Sequence, residues 1–580
     1  MESAMESLQN RPWSKHYPTG VPVDLPIPEI PLYQFLDDAV REYPQRVATI
    51  FKGGQITYHR LDELTNRFAH ALQDLGVEPG DRVALMLPNC PQMVIAFYGA
   101  LRAGAIVVMT NPLYVERELE HQLNDSGSKV IVVLDLLKPR VEAVRGLTAL
   151  RHVIYTSIKD FLPFPLNLLY PLKQKLPQIE TSETTHRWPE LIGRTSPGFR
   201  PVKSDPNGVA LLQYTGGTTG VSKGAMLTHK NLIANTLQTA AWMGKQDARR
   251  DHTRILSALP FFHVYGLTVV MNLAVALAGT MLLMPKFEVG EALKLIEKYK
   301  PSLFPGAPTM YVAIINHPDV AKRDLSSIES CISGSAPLPL EVQNSFERIT
   351  HGRLVEGYGL TEASPVTHSN PLGEGRKNGT IGLPFPNTDM KIVDLETGEK
   401  VLGPGEIGEL CVRGPQVMLG YWQRPEETAR ALRDGWLYTG DIAQMDEDGY
   451  TSIVDRKKDM IIAGGFNIYP REVEEILFQH PAVQEAVAVG IPDAYRGETV
   501  KAYLVLKQGQ QATQEEIIAF CRERMAKFKA PTAVEFRTDL PKTIVGKVLR
   551  RRLLEEEKER AATAAAKSAA GAGQDAANGK

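Results

Sequence analysis

The chain has 580 residues, a formal net charge of −2, 43% hydrophobic and 23% charged side chains. That length predicts roughly four units of about 150 residues, each with a sizeable core. The near-zero charge argues against a chain that coats nucleic acid, which would carry a basic stripe; the composition is that of an ordinary soluble globular protein. Cys90, Cys331, Cys411 and Cys521 lie far apart with no CxxC pair, which fits reduced thiols and offers no structural zinc site. The opening MESAMESLQNRPWSKH has no apolar core of a secretory signal, so a cytoplasmic location is expected.

In chain order, His59 to Leu75 sets Leu61, Leu64, Phe68, Leu72 and Leu75 on one helical stripe, with Gly76 as the expected C-cap. Arg82–Leu87 reads as a strand, Pro91–Arg102 as a helix, and Ala105–Thr110 and Lys129–Leu134 as further strands. Strand, helix, strand with short connections predicts parallel sheets covered by helices. Residues 160–177, DFLPFPLNLLYPLKQKLP, are apolar and proline-broken, ending on Lys173 and Lys175; a packed surface loop and peripheral docking at a membrane are the two readings. Val264 to Pro285 contains no charged residue and is long enough to span a bilayer. Gly266, Asn272 and Gly279 interrupt it, and a buried helix ending at Gly279 followed by a buried strand is expected instead. Met390 to Val412 has short strands and Gly/Pro turns, a small β-rich piece. Beyond the charged stretch Asp455–Asp459, a compact α+β unit is expected from a helix at Arg471–His480, strands at Val483–Ile491 and Val500–Leu506, and a helix at Gln514–Met525. The tail from Ala561 is low-complexity and expected to be disordered.

The densest chemistry lies in YTGGTTGVSKGAMLTH, residues 214–229. Gly216, Gly217 and Gly220 allow close backbone approach to a ligand. Thr215, Thr218, Thr219 and Ser222 bring hydroxyls, and Lys223 brings a positive charge, a set suited to a polyphosphate. It is not the usual P-loop, because Ser222 rather than glycine precedes the lysine. Five further segments accompany it: LPFFHVYG with His263, SGSAPLP with Gly334, Ser335 and Ala336, GYGLTEASP with Gly357, Tyr358, Gly359, Thr361 and Glu362, DGWLYTGD ending in Asp441, and PKTIVGKVLRRR with Lys547. Each has an ordinary structural explanation alone: a packed histidine, a turn, an acid at a helix N-terminus, or a solvated basic face. A serine hydrolase is excluded because Ala336 and Pro337 follow Ser335 where Gly-x-Ser-x-Gly is required.

Taken together and in this order, these motifs resemble the adenylate-forming (ANL) superfamily, which contains acyl-CoA synthetases, aryl-CoA ligases, luciferases and peptide-synthetase adenylation domains. The resemblance runs from about Pro31 to Glu557. DGWLYTGDI followed by DGY and IVDRKKDMI looks most like the bacterial long-chain fatty acid–CoA ligase branch. It implies an α/β multidomain fold: a large N-terminal domain of two αβ subdomains plus a small β-barrel, and a small mobile α+β C-terminal domain. The expected boundaries are an extension over 1–28, an AMP-binding domain over 29–455, the mobile domain over 456–557 and a tail over 558–580. The implied reaction joins a fatty acid carboxylate to the α-phosphate of ATP, releasing pyrophosphate, and then passes the acyl group to coenzyme A, releasing AMP.

The resemblance also assigns roles. The 215–223 loop, with Thr215, Gly216, Gly217, Thr218, Thr219, Gly220 and Lys223, grips the β- and γ-phosphates; Thr218 is counted with the catalytic residues. Glu362 holds Mg²⁺, a hard cation suited to carboxylate oxygen, with Thr215 as a weaker second candidate. Gly334, Ser335 and Ala336, with Gly357, Tyr358, Gly359 and Thr361, line the adenine and α-phosphate site. Asp441 accepts the ribose hydroxyls with Arg456 nearby. Lys547 bridges the acyl carboxylate and the α-phosphate. His263 sits near that carboxylate, and Lys458 falls at the pivot of the mobile domain. The acyl tunnel comes from the stretch after His263 and from PGAPTMY, residues 305–311. Some long-chain members carry a gating tryptophan four residues beyond that histidine; this chain has Leu267 there. The implied partners are fatty acid, ATP and coenzyme A, with no nucleic acid. A homodimer and contact with the inner face of the membrane are further expectations. The alternative is a related ligase for medium, short or aromatic acids, or one delivering to a carrier protein.

Overall fold

The computed structural model describes residues 11–215, 222–244, 252–463, 466–493, 496–543 and 547–560. They fall into two compact units, one holding residues 1–391, 411–439 and 446–451, the other 392–410, 440–445 and 452–580.

The helix Tyr58–Asp74 illustrates how local chemistry sets the elements of the first unit. Thr57 caps it by accepting from the Arg60 N–H at 3.3 Å, and Leu61, Leu64, Phe68 and Leu72 are buried. At its end the Gly76 N–H reaches Gln73 O and the Val77 N–H reaches Leu72 O, with Gly76 at φ +76°. This paired closure is the one a glycine after the last turn allows. The next helix, Pro91–Arg102, is buried on every face, so its sequence shows no polar stripe.

The helix Pro91–Arg102, with Tyr58–Asp74 packed on it, lies against an eight-stranded sheet. Its order is Gly420–Tyr421, Lys223–Thr228, Val209–Thr215, Ile106–Met109, Arg82–Met86, Val130–Leu134, His152–Thr156, Thr185–Arg187. The six strands from Val209–Thr215 onward are mutually parallel, as the alternation of elements predicts, while Lys223–Thr228 turns back antiparallel. A second sheet is ordered Arg254–Ser257, Thr280–Leu283, Val47–Phe51, Gly54–Thr57, and a third Ser330–Ser333, Arg353–Gly359, Val366–Ser369, Leu383–Pro384. Leu303 makes parallel bridges to both Ile255 and Ser330 and so links these two.

The uncharged stretch after His263 forms a helix that widens into a π-helix at Leu267–Asn272, returns to α-helix at Leu273–Ala276, and feeds the strand Thr280–Leu283; every residue is buried. The expected helix end is corrected in detail. Ala278, not Gly279, takes the positive φ, at +47°. Gly279 is needed because a Cβ there would lie 2.7 Å from the Thr253 carbonyl oxygen. Among the described residues no helix is long and apolar enough to cross a membrane.

In the second unit the long strands Val483–Asp493 and Gly497–Leu506 pair antiparallel, flanked by Ile461–Ala463, Phe466–Ile468 and Ala533–Phe536. Ala486, Ala488, Ala502 and Leu504 face one apolar cluster with helices Pro470–Phe478 and Gln514–Arg524, while Val487, Val489, Tyr503 and Val505 face another with Leu540 and Leu553. Alternating side chains thus bury both faces, and Ala486–Val489 and Ala502–Val505 read as continuous apolar runs. The strands Asp389–Val393, Ile407–Arg413, Leu432–Arg433, Trp436–Met445 and Thr451–Arg456 form a further five-stranded sheet. All four cysteines are buried, and none is in a disulfide.

Candidate active site

Strands Val209–Thr215 and Lys223–Thr228 form a hairpin whose last registered pair is Thr215 with Lys223. The two ends of the phosphate-type loop therefore face each other. Gly216, Gly217, Thr218, Thr219 and Gly220 lie outside the described residues. The hairpin base is rigid: the Tyr214 hydroxyl donates to Asp125 at 2.7 Å, and Arg424 pairs with the other oxygen of Asp125 at 2.9 Å.

Glu362 is brought to this hairpin by the short strand Gly420–Tyr421, which pairs with Ala225 and Met226. The Tyr421 hydroxyl donates to Glu362 Oε1 at 2.7 Å, and Lys223 Nζ lies 4.6 Å from the Tyr421 ring centroid. The Met418 N–H also holds the Glu362 carbonyl at 2.8 Å. Burial and the neighbouring Glu362 carboxylate push the Tyr421 phenol well above its ordinary range, so it stays a neutral donor. Glu362 sits in the 3₁₀ turn Thr361–Ala363, immediately after the strand Arg353–Gly359. Gly357, Tyr358 and Gly359 are strand, paired with Val366–Ser369, rather than a turn. A Cβ on Gly359 would stand 2.0 Å from the Pro365 carbonyl oxygen, so the glycine is set by backbone packing.

His263 precedes the buried apolar helix, and its Nδ1 accepts from the Tyr265 N–H at 3.3 Å. Tyr265 runs beneath the small-residue turn: its hydroxyl donates to Ile332 O at 2.6 Å, and its ring sits where a Cβ on Gly334 would be 3.0 Å away. The Gly334 N–H bonds Gly306 O, which brings residues 305–311 to the same place. Ser335 adopts φ +72°, and Ala336 follows half-buried. The LPFFH turn is fastened by two residues that the motifs do not mark. The Asn89 amide donates to Ser257 O and Leu259 O and accepts from the Phe261 N–H, and Gln213 donates to Phe262 O.

The second unit gathers the other charged candidates. Asp441, 3% exposed, pairs with Arg456 Nε at 3.1 Å. Glu409 accepts from the Gly440 N–H and pairs with Lys457 at 3.1 Å. Asp455 accepts from the backbone N–H of Arg456 and of Arg471, the latter opening the helix Pro470–Phe478. Lys547 lies just past the undescribed 544–546, its N–H donating to Thr543 Oγ1 while its carbonyl accepts from the Thr543 N–H at 2.7 Å. Burial, then Arg456, lower the Lys547 ammonium to about 8, against a partial pull from Asp441. Lys458 is lowered to about 8 by the same two causes, although its own side chain is more open to solvent. Three cations thus share one neighbourhood with Asp441, an arrangement suited to an anionic ligand.

Glu362, Thr215 and Lys223 therefore converge in the first unit, as do His263, Gly334 and Ser335; Asp441, Arg456, Lys458 and Lys547 converge in the second. Tyr421, Tyr265, Asn89 and Gln213 escape a motif reading.

Parallel sheets with a polyphosphate-type hairpin, a carboxylate beside it and a separate cation cluster define an adenylate-forming enzyme. The AMP-binding enzyme family matches residues 36–422 and the AMP-binding enzyme C-terminal domain matches residues 472–547, and the chain belongs to this family. It is 53% identical over 548 residues to a long-chain-fatty-acid–CoA ligase of Bacillus subtilis (strain 168), covering 94% of this chain and 97% of that protein. It is 43% identical to a protein of the same description from Escherichia coli O157:H7, covering 93% and 97%. The crystal structure of ATP-bound MatB from Rhodopseudomonas palustris superposes with a TM-score of 0.80 at 30% identity, covering 92% of this chain and 99% of that one.

Proposed function

We propose that the chain is an AMP-forming long-chain fatty acid–CoA ligase that works through an acyl-adenylate, with ATP and coenzyme A as co-substrates. The observation that carries this is Tyr421 at the polyphosphate hairpin, its hydroxyl bonded to Glu362 and its ring beneath Lys223, in a chain 53% identical to a protein described as such a ligase. The domain boundaries at 29–455 and 456–557, the β-barrel reading of the small five-stranded sheet, and the mobility of the C-terminal domain belong to the same proposal.

The roles follow from the chemistry of each group. Lys223 and the hydroxyls and backbone of 215–220 hold the β- and γ-phosphates and orient pyrophosphate as the leaving group. Glu362 and the Thr215 hydroxyl are hard oxygen donors, a set that fits Mg²⁺ completed by phosphate oxygens. When bound, the ion neutralises phosphate charge. Tyr421 fixes one Glu362 oxygen and so aims the carboxylate. Residues 334–336, 357–359 and Thr361 take the adenine and α-phosphate. Asp441 takes both ribose hydroxyls, its Arg456 partner staying at the ribose edge. Lys547 stands between the acyl carboxylate and the α-phosphate, offsetting the charge of two approaching anions. His263 borders the carboxylate and the path of the thiol. The wholly buried stretch after His263 supplies an apolar wall, where each buried methylene is worth about 0.8 kcal/mol, so chain length is strongly selected. A cytoplasmic setting, where ATP and coenzyme A are available, fits four buried thiols.

AMP formation from ATP and Mg²⁺, with and without coenzyme A, across carboxylates from acetate to oleate, tests the proposal. Coenzyme A-dependent turnover peaking at long chains is expected. A peak at short or aromatic acids, or pyrophosphate release indifferent to coenzyme A, would move the enzyme to another branch.

A further inference from the structure

Residues 161–179 contain ten apolar or aromatic side chains of the large kind (Phe161, Leu162, Phe164, Leu166, Leu168, Leu169, Tyr170, Leu172, Leu176 and Ile179), two lysines and no acid. The segment is built onto the body at both ends. Asp160 accepts from the Ser157 N–H at 2.8 Å and the Thr156 hydroxyl at 3.0 Å, and Gln92 holds Ser157 O from below. The hairpin at Gly54 packs directly on Phe161 and Pro163, where a Cβ would meet the Phe161 carbonyl at 3.3 Å. On the returning limb Lys138 donates to Gln178 O at 2.8 Å. Between these anchors the helix Leu166–Lys173 stands with its leucines outward: Phe164 is 79% exposed, Leu168 65% and Leu172 82%, with Leu166 and Leu169 also open. Lys173 and Lys175, both exposed, follow at its end.

A rigid base beneath an uncovered leucine face is not the pattern of a folded-back surface loop, in which such side chains turn inward. We propose that this helix docks the protein on a phospholipid bilayer, the leucines and Phe164 entering the headgroup–acyl boundary and Lys173 and Lys175 meeting anionic headgroups. Charge favours a bilayer over a second copy of the chain. A two-fold contact through this patch would set the same lysines against one another; of the flanking acids, Asp160 is taken up by Ser157 and Thr156, and Glu180 lies past the returning limb, beyond Gln178. The proposal goes beyond acyl activation and does not depend on it, although it places the chain where a long-chain carboxylate resides.

Flotation of the full chain with vesicles of phosphatidylcholine, alone or mixed equally with phosphatidylglycerol, tests this at low and high salt. Wild type floats best with the anionic vesicles at low salt. Leu168→Glu with Leu172→Glu lowers the bound fraction at least about tenfold. Lys173→Glu with Lys175→Glu removes the anionic preference and its salt dependence. Both double variants keep the thermal midpoint of the wild type, which separates docking from folding. Absence of flotation by wild type, or equal flotation by the leucine variant, overturns the proposal. So does a wild-type dimer in sedimentation that the leucine variant makes monomeric with flotation unchanged.

Discussion

Replacing Tyr421 by phenylalanine deletes one oxygen atom beside Glu362 and leaves the ring. Lys223, 4.6 Å from that ring centroid, keeps its cation–π contact, so the substitution isolates the hydroxyl. The hydroxyl is 2.7 Å from Glu362 Oε1. A hydrogen bond to a charged group contributes about 1.5–3 kcal/mol, and Tyr421 is only half-buried, so water recovers part of the loss. The low end of that range corresponds to about tenfold in rate or affinity. Pyrophosphate release measured against Mg²⁺ concentration should show about a tenfold fall in kcat/KM and a rightward shift in the Mg²⁺ dependence. Calorimetric titration with Mg²⁺–ATP should weaken in step. Thioester formation from supplied acyl-adenylate should be untouched, because that step no longer involves the departing pyrophosphate. An unaltered Mg²⁺ dependence, or equal losses in both half-reactions, would refute the role given to this pair.

Lys547→Ala should depress adenylation about a hundredfold or more while sparing thioester formation from acyl-adenylate; equal loss in both would remove the bridging role. Lys458→Pro should do the reverse, keeping pyrophosphate release and suppressing acyl-CoA formation, as expected if the pivot needs a φ/ψ change proline forbids. The Lys547 ammonium, held near 8 by burial and Arg456, is active when protonated, so kcat/KM for adenylation should fall as pH rises through about 8. Stability should run the other way. Between about 8 and the ordinary 10.5 this lysine binds fewer protons folded than unfolded, so its contribution to stability rises with pH there. A denaturation series and a pH–rate profile with parallel slopes would contradict that assignment. Asn89→Ala leaves three backbone groups at Ser257, Leu259 and Phe261 without their partner. At about 1–3 kcal/mol for each unsatisfied group, partly offset by relaxation, chemical denaturation should show a loss of about 3 kcal/mol or more.

Much of this was written locally. Periodicity at Leu61, Leu64, Phe68 and Leu72 and the glycine that follows specify a helix and its end, because side-chain spacing and backbone freedom act within a few residues. The order of the Thr/Gly loop, GYGLTE, TGD and the Lys547 loop identified the family before any contact was known. The strand expected at Val483–Ile491 and found over Val483–Asp493 was legible for the same reason, its stretch Ala486–Val489 being apolar and buried on both faces.

Tertiary structure alone decided what stands beside what. Tyr421 reaches Glu362 across 59 residues, and Asn89 holds Phe261 across 172. Neither partner carries a sequence signal, since a tyrosine or an asparagine looks the same whether it packs a core or aims a carboxylate. The left-handed turn at Ala278 fell outside local reading too: Gly279 is dictated by the carbonyl of Thr253, the residue just ahead of the strand Arg254–Ser257. The lowered Lys547 ammonium depends on Arg456 and on burial, which exist only once the chain has folded. Sequence determined the elements and the chemistry they carry, because propensity, capping and patterning are short-range. The fold decided their pairings and charge states, because desolvation and hydrogen bonding depend on distances that sequence separation does not encode.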